Sequence, residues 1–368
     1  MRTVGVEEEL LLVDEGDGSP LAVAAPVVRG LRRAHPADGD APDGDYAHEL
    51  HDEQVEYSTP PVADLALLRE EIVARRAETA RHAAESNARL VALATSPLPV
   101  DASLHAGERY RWMAEQFGLT AQEQLTCGCH VHVAVEDDDE GVAVLDRIRP
   151  WLPVLTALSA NSPFWQGVDT GYASYRSRVW NRLPTAGPTE PFGTAAGYHA
   201  LVRDMLATGV IRDKGMIWFD ARLSASYPTV ELRVADVCLD PDTPVLLAAL
   251  ARALVETAAR EWRAGLPVPP VPTGLLRMAA WRAGRSGLDG PLLDPRDHRE
   301  APAATVVAAL CEHVAEALAD HGDEDRVRTG LARLLVDGTG ARVQRAALRA
   351  GGGPAAMIDE CARRTLAP

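Results

Sequence analysis

Lysine is all but missing from this chain: Lys214 stands alone, and every other basic residue among the 37 is arginine. Alongside abundant alanine, this reads as the coding bias of a GC-rich bacterial genome and carries no catalytic weight. No apolar run approaches the ~20 residues that a membrane-crossing helix needs. The opening residues, Met1-Arg2-Thr3-Val4-Gly5-Val6-Glu7-Glu8-Glu9, place acid where a secretory leader has its apolar stretch. The expectation is a soluble, cytoplasmic protein. Cysteine is sparse and odd in number: Cys127, Cys129, Cys238, Cys311 and Cys361 make no disulfide framework. Cys127-Gly128-Cys129-His130 lacks the second cysteine pair of a zinc site. There is no Gly-x-x-x-x-Gly-Lys-Ser/Thr loop, which argues against a Walker-type nucleotide site. There is no His-Glu-x-x-His either, and His48-Glu49-Leu50-His51 has the wrong spacing for that zinc motif.

Acid is what the chain has in excess. Its 53 carboxylates outnumber the basic residues to give a net charge of −16. Such a balance repels nucleic acid and anionic membranes, so neither is expected as a partner. It also leaves carboxylates free to cluster around cations. At 368 residues and 46% hydrophobic, the chain can bury a large core.

Period-two patterns mark residues 3–13, 46–59, 125–135, 216–225 and 228–237 as extended. Pro60-Pro61 closes the second of these, and residues 36–45 read as a loop. Residues 63–92 read as one long amphipathic helix, with Leu65, Leu68, Ile72, Ala80 and Ala84 as its apolar stripe. Residues 164–195 have no clear period, which often marks a functional loop. With strands concentrated in 1–240 and helices in 241–368, the chain reads as a single α+β domain spanning 1–368. Its sheet is expected to be mostly antiparallel, with helices packed on one face.

Side chains two apart on a strand share a face. Glu7 and Glu9 therefore lie together, opposite Val4, Val6, Leu10 and Leu12, with roughly 7 Å between them along the strand. Two unpaired carboxylates so placed repel, and a divalent cation removes that cost. Glu8 falls on the apolar face, where it needs a bulge or a partner. Glu49 and Glu56 differ by seven, so a straight strand separates them. Their segment reads either as a solvated acidic edge or, if the chain bends, as part of one site. His130 and His132 share a face opposite Val131, Val133 and Val135, as two ligands or as one ligand and one hydrogen-bonding residue. Glu231 and Arg233 lie together opposite Val230, Leu232 and Val234, as a surface ion pair or as site residues. A sheet whose polar face carries Glu, His and Arg is an open trough. Oxygen-rich ligation of this kind suits Mg²⁺ or Mn²⁺ better than zinc.

Gly5-Val6-Glu7-Glu8-Glu9, Glu49 through Thr59-Pro60, Gly128-Cys129-His130-Val131-His132-Val133 and Glu231-Leu232-Arg233-Val234-Ala235-Asp236 occur in the order found in glutamate–cysteine ligases. Over residues 3–365 the chain resembles the bacterial type 2 branch, the carboxylate–amine ligases. The resemblance implies a glutamine-synthetase-like fold, whose antiparallel sheet forms a funnel for ATP, metals and the acyl substrate. It implies that ATP phosphorylates a carboxylate and that an amine displaces the phosphate to give an amide. It further implies glutamate as the carboxylate and an amine such as cysteine. As metal ligands it implies Glu7, His130 and Glu231 in one set and Glu9, Glu49 and Glu56 in another, with sharing between them. Arg233 and Arg222 would act at the phosphates, and Tyr175, Arg176 and Arg178 would recognise the acyl substrate. Relatives often form homodimers. Two other readings stay open on the residues alone: a guanidino-kinase-like phosphotransferase, which releases no inorganic phosphate, and a metal-binding protein without catalysis.

Overall fold

The computed structural model describes residues 1–35 and 46–368, so the loop expected at 36–45 lies outside the described residues. The strands are β1 (Val4–Asp14), β2 (Tyr46–His48), β3 (Gln54–Ser58), β4 (Ala88–Val91), β5 (Gly128–Ala134), β6 (Phe164–Trp165), β7 (Val168–Asp169), β8 (Ala221–Leu223), β9 (Thr229–Asp236), β10 (Leu292–Leu293) and β11 (Glu300–Ala301), the last two paired with each other. Seven of them form an antiparallel sheet in the order β2-β3-β1-β5-β9-β8, with β4 pairing the far half of β1. β6 and β7 form a separate small hairpin.

Alternation places the core as expected. Val4, Val6, Val131, Val133, Val230 and Leu232 are buried on one face. The helices Asp242–Arg263 and Leu152–Ser159 cover them. Beyond Glu9 the pattern changes: Leu10, Leu11, Leu12 and Val13 are all buried, so both faces of β1 are covered there. Helix Ala24–Ala34 and the C-terminal helix Gly353–Thr365 contribute Val27, Val28, Leu31, Ile358 and Cys361 to that second core. The trough is therefore open only over the first half of β1. Among the described residues no helix is long and apolar enough to cross a membrane.

Two expectations are corrected. The extended segment at 46–59 is a hairpin: β2 folds back on β3, with Tyr46 opposite Tyr57 and Ala47 opposite Glu56. The chain reverses through residues 49–53, so the strand parity that separated Glu49 from Glu56 does not apply. The long helix expected over 63–92 spans only Leu65–Ala84. Asp64 caps its start by accepting from the Ala66 N–H at 2.7 Å. At the other end Asn87 takes a positive φ of 54°, which asparagine tolerates well, and turns the chain into β4. Ala84 is exposed rather than part of the stripe.

The buried stripe of that helix contains a charge. Arg76 follows Leu65, Leu68 and Ile72 into the core. There it grips Glu8 with two hydrogen bonds, Nη2 to Oε1 at 2.6 Å and Nε to Oε2 at 2.8 Å. This is the partner that Glu8 needs on the apolar face. The remaining guanidinium donors reach the carbonyls of Cys238, Leu239 and Thr365, and Tyr57 donates its hydroxyl to Glu8. A buried charge is tolerable only when satisfied in this way. The pair ties β1, the helix, the exit of β9 and the C-terminal helix into one unit.

Candidate active site

Strand register assembles the site. Glu9 stands opposite Glu56 across β1 and β3, and Glu7 opposite His130 across β1 and β5. His132 stands opposite Glu231 across β5 and β9, and Arg222 opposite Glu231 across β8 and β9. Because Glu7 and Glu9, and His130 and His132, are each two apart, these cross-strand pairs join into one polar row over five strands. Glu49 enters from the β2–β3 turn. A β-bulge in β9 sets Arg233 and Val234 against His130, since the register shifts between Cys129 and Val131. Bulges commonly re-aim side chains beside active sites in this way.

The ligand atoms converge in overlapping groups. Glu9, Glu49 and Glu56 form one, Glu7, Glu56 and His130 a second, and Glu7, His132 and Glu231 a third, with all ligand atoms in a group within 4.8 Å of one another. Glu7 and Glu56 are thus shared, and His132 rather than His130 groups with Glu7 and Glu231. Glu7 Oε2 lies 3.1 Å from His130 Nδ1, and Glu7 Oε1 lies 3.2 Å from His132 Nε2. His132 Nδ1 meets Thr229 Oγ1 at 2.9 Å, which orients the ring. Glu9 Oε2 accepts from the Gly128 N–H at 2.6 Å. His48, Asp52 and His105 form a separate trio, with Asp52 in the β2–β3 turn.

Electrostatics divides the row. Burial and the charge of Glu49 raise the Glu9 acid to about 7, against the opposing effects of Arg176 and the Gly128 N–H. Burial, then Glu49 and Glu7, push Glu56 well above the ordinary range. At the other end, burial is outweighed. Glu7 is held well below that range by the charge of His132 and by hydrogen bonds with both histidines. Glu231 is held low by Arg233 and Arg222. Burial and Arg233 lower His130 to about 4, so it is a neutral imidazole near pH 7, the form in which histidine binds metals. Three crowded carboxyls beside a neutral imidazole fit a divalent cation: it relieves the repulsion and accepts oxygen ligands. His130 Nε2 is buried without a hydrogen-bond partner among the described residues, a further point of fit.

The arginines differ in what they already hold. Arg222 donates to Glu231 through Nε at 2.8 Å and Nη2 at 3.1 Å, and through Nη1 to the carbonyls of Gly215 and Ile217. Protein groups therefore engage it on every arm. Arg233 pairs with Glu231 through Nη1, and its Nε is buried without a hydrogen-bond partner among the described residues. At 2% and 7% exposure, Glu231 and Arg233 are not a surface pair. Arg176 is 1% exposed, yet its Nε and Nη2 have no hydrogen-bond partner among the described residues. Buried, unmatched guanidinium donors point to an anion from outside the chain. Arg178 lies two residues on, half-buried, with Nη2 at 3.3 Å from the Ser177 carbonyl oxygen. Tyr175 packs edge-on against Tyr172.

Three contributing residues escape sequence reasoning. Gly128 leaves room for Arg176: a Cβ there would overlap Arg176 Nη2. Glycine inside a strand often marks such a close approach. Asp236 ends β9 and accepts from the Ser162 and Ser174 hydroxyls at 2.7 and 2.8 Å. Ser162 Oγ in turn accepts from the Arg176 N–H at 3.0 Å. Trp180, four residues after Arg176 on the helix Arg176–Trp180, carries both Arg176 and Arg233 over its ring.

Comparison with known proteins shows the family to which the chain belongs. The family model described as glutamate-cysteine ligase family 2 matches residues 3–365. A provisionally named glutamate–cysteine ligase 2-1 of Streptomyces avermitilis is 59% identical over 366 residues, covering 99% of either chain. A provisionally named glutamate–cysteine ligase 2 of Streptomyces coelicolor is 58% identical over 367 residues, covering 100% of either chain. Among solved structures, the glutamate–cysteine ligase of Francisella tularensis in complex with AMP superposes with a TM-score of 0.72 at 12% identity, over 100% of this chain and 89% of that one. A bifunctional glutathione synthetase from Pasteurella multocida gives 0.71 at 15% identity, over 99% of this chain and 52% of that one. At such identities the structural likeness is one of fold. The family model spans nearly the whole sequence and relatives match from end to end: the chain belongs to glutamate–cysteine ligase family 2.

Proposed function

We propose that the protein is an ATP-dependent carboxylate–amine ligase that joins L-glutamate, through its side-chain carboxylate, to an amine such as L-cysteine. The observation that carries this reading is the polar row itself: overlapping carboxylate–imidazole groups lie next to buried guanidinium donors that lack acceptors among the described residues. A site for transferring phosphoryl groups needs both kinds of group, one to hold cations and one to hold anionic oxygens. In the reaction, a carboxylate oxygen attacks the γ-phosphorus of ATP and the bond to the β-γ bridging oxygen breaks, releasing ADP. The amine nitrogen then attacks the acyl carbon, the carbon–oxygen bond to phosphate breaks, and the nitrogen gives up a proton to the departing phosphate or to water.

Glu7, Glu9, Glu49, Glu56, His130 and Glu231 would hold Mg²⁺, or Mn²⁺, which when bound neutralises the triphosphate and the transferring group. His132 belongs beside Glu7 and Glu231, as a ligand or as the group that orients Glu7. Arg233 offers Nε to an oxygen of the transferring phosphoryl group while Nη1 stays with Glu231. Arg222 holds Glu231 in place, and so acts as a positioning residue. Arg176 offers two donors to a substrate anion, and Arg178 and Tyr175 border the acyl substrate. ATP use and five free thiols are consistent with work in the cytoplasm. A second copy of the chain is the proposed partner, to be measured by sedimentation.

Hydroxylamine tests the reading, because it captures an acyl phosphate as a hydroxamate. The expected result is ADP release with hydroxamate formation that depends on glutamate and Mg²⁺, and that is lost in Glu231→Gln although the variant stays folded. A panel of carboxylates and amines, with product masses, then identifies the substrates. ADP release with a phosphorylated product and no inorganic phosphate would instead favour the guanidino-kinase reading. Cation binding without any ADP release would leave a non-catalytic protein.

A further inference from the structure

Arg176 and Arg233 come from distant parts of the chain, a short helix and a bulged strand, yet both lie over one indole. The Cζ of Arg176 is 5.2 Å from the centroid of the Trp180 ring, and that of Arg233 is 5.5 Å away. Each guanidinium is thus within reach of the ring's π-system, which attracts a cation over its face and favours holding it there. Trp180 is itself fixed, since its edge meets the buried Trp218 at 6.5 Å and 77°. The backbone of Arg176 is anchored separately, through Ser162 and Asp236. That anchor fixes where the side chain begins but not where its guanidinium ends. Among the described residues, three donors on the two arginines are buried without an acceptor: Arg176 Nε, Arg176 Nη2 and Arg233 Nε. A plain core tryptophan would pack against aliphatic groups; this one is half-buried and carries two cations with unused donors.

We propose that Trp180 is a positioning residue that holds Arg176 and Arg233 as one two-armed receptor for an oxyanion of the substrate. The inference rests on the ligase reading for the origin of that oxyanion. It is either the carboxylate of the acyl donor or the phosphoryl group, and the two share anionic oxygens that accept from a guanidinium fork. Trp180 touches neither; it acts through the two arginines.

The test is calorimetric titration of the Mg²⁺-loaded full chain, in separate arms, with inorganic phosphate and with L-glutamate. The arm that shows binding identifies the oxyanion. Trp180→Met keeps an apolar side chain of useful length but removes the ring face, and is expected to weaken that binding at least tenfold. Trp180→Phe keeps a ring with a weaker face and is expected to stay within about threefold of the parent. Melting temperature and circular dichroism establish that each variant is folded. If Trp180→Met does not fold, Trp180→Phe alone still decides, since binding lost as completely as in Arg176→Met would show that an aromatic face is not enough. Parent-like binding in Trp180→Met overturns the proposal and leaves the ligase reading intact. Absence of binding in both arms by the parent overturns the receptor itself, and with it the role given to Arg176. In turnover, the positioning role appears in Trp180→Met as a raised KM for the acyl donor and a lowered kcat, both partly restored in Trp180→Phe; a merely structural role would lower the active fraction at unchanged KM.

Discussion

Replacing Glu9 by glutamine should make the metal-free protein more stable while it destroys activity. Burial and the neighbouring Glu49 charge raise the Glu9 acid from the ordinary 4.5 to about 7 in the folded chain. Between those values the folded state keeps a proton that the unfolded chain has released. Stability must therefore fall as pH rises through that window, and the full cost persists above it. The gap corresponds to about 3 kcal/mol at pH 8 and to less than about 1 kcal/mol at pH 5. These are upper bounds, because water entry and side-chain relaxation reduce them. Glutamine is nearly isosteric, carries no charge and keeps an oxygen for the Gly128 N–H, which donates to Glu9 Oε2 at 2.6 Å. In EDTA, urea unfolding followed by circular dichroism should show Glu9→Gln more stable than the parent at pH 8, with the difference shrinking toward pH 5. Added Mg²⁺ should stabilise the parent more than the variant, since the parent has the complete carboxylate group. A variant less stable than the parent at pH 8, or stabilised equally at both pH values, would refute the reasoning. A stabilising substitution at the centre of a site is what function at the expense of stability produces.

The remaining predictions concern single contacts. Arg233→Lys removes a planar fork but keeps the charge, so kcat should fall by tenfold or more while the ATP dissociation constant changes by less than about threefold, as read by steady-state kinetics and calorimetry. Arg76→Met strands the buried Glu8 carboxylate and should cost about 3–5 kcal/mol in urea unfolding; a loss below about 1 kcal/mol would mean that water reaches Glu8. Gly128→Ala sets a methyl against Arg176 Nη2. It should raise KM for the acyl donor with little change in melting temperature, and an unchanged KM would show that the guanidinium moves aside without consequence.

How much of this site the sequence discloses follows from the range of each interaction. Glu7, Glu9, His130, His132, Glu231 and Arg233 were all legible, because a strand's period of two places them on one face without knowledge of any other strand. Which of them meet was not legible, since register depends on pairing: His132 faces Glu231, and Glu9 faces Glu56, only once β5 and β3 are laid against their neighbours. Glu49 was the hardest. Counting along one strand put it on the wrong side, and only the reversal through residues 49–53 brings it to Glu9 and Glu56. The helix and strand around Asn87 merged in the pattern because the apolar spacing of Leu90 and Val91 continues the preceding stripe. Arg76 carried a signal that the apolar count passed over. It sits four residues after Ile72 and eight after Leu68, in register with the buried stripe. A charge in such a place requires an opposite charge in the core. The unpaired acid on the apolar face of β1 was the other half of the same fact. Read together, Glu8 and Arg76 would have located the helix against β1 before any coordinates. The two anomalies of the sequence explain each other: Glu8 points away from the polar row because a buried arginine holds it on the opposite face.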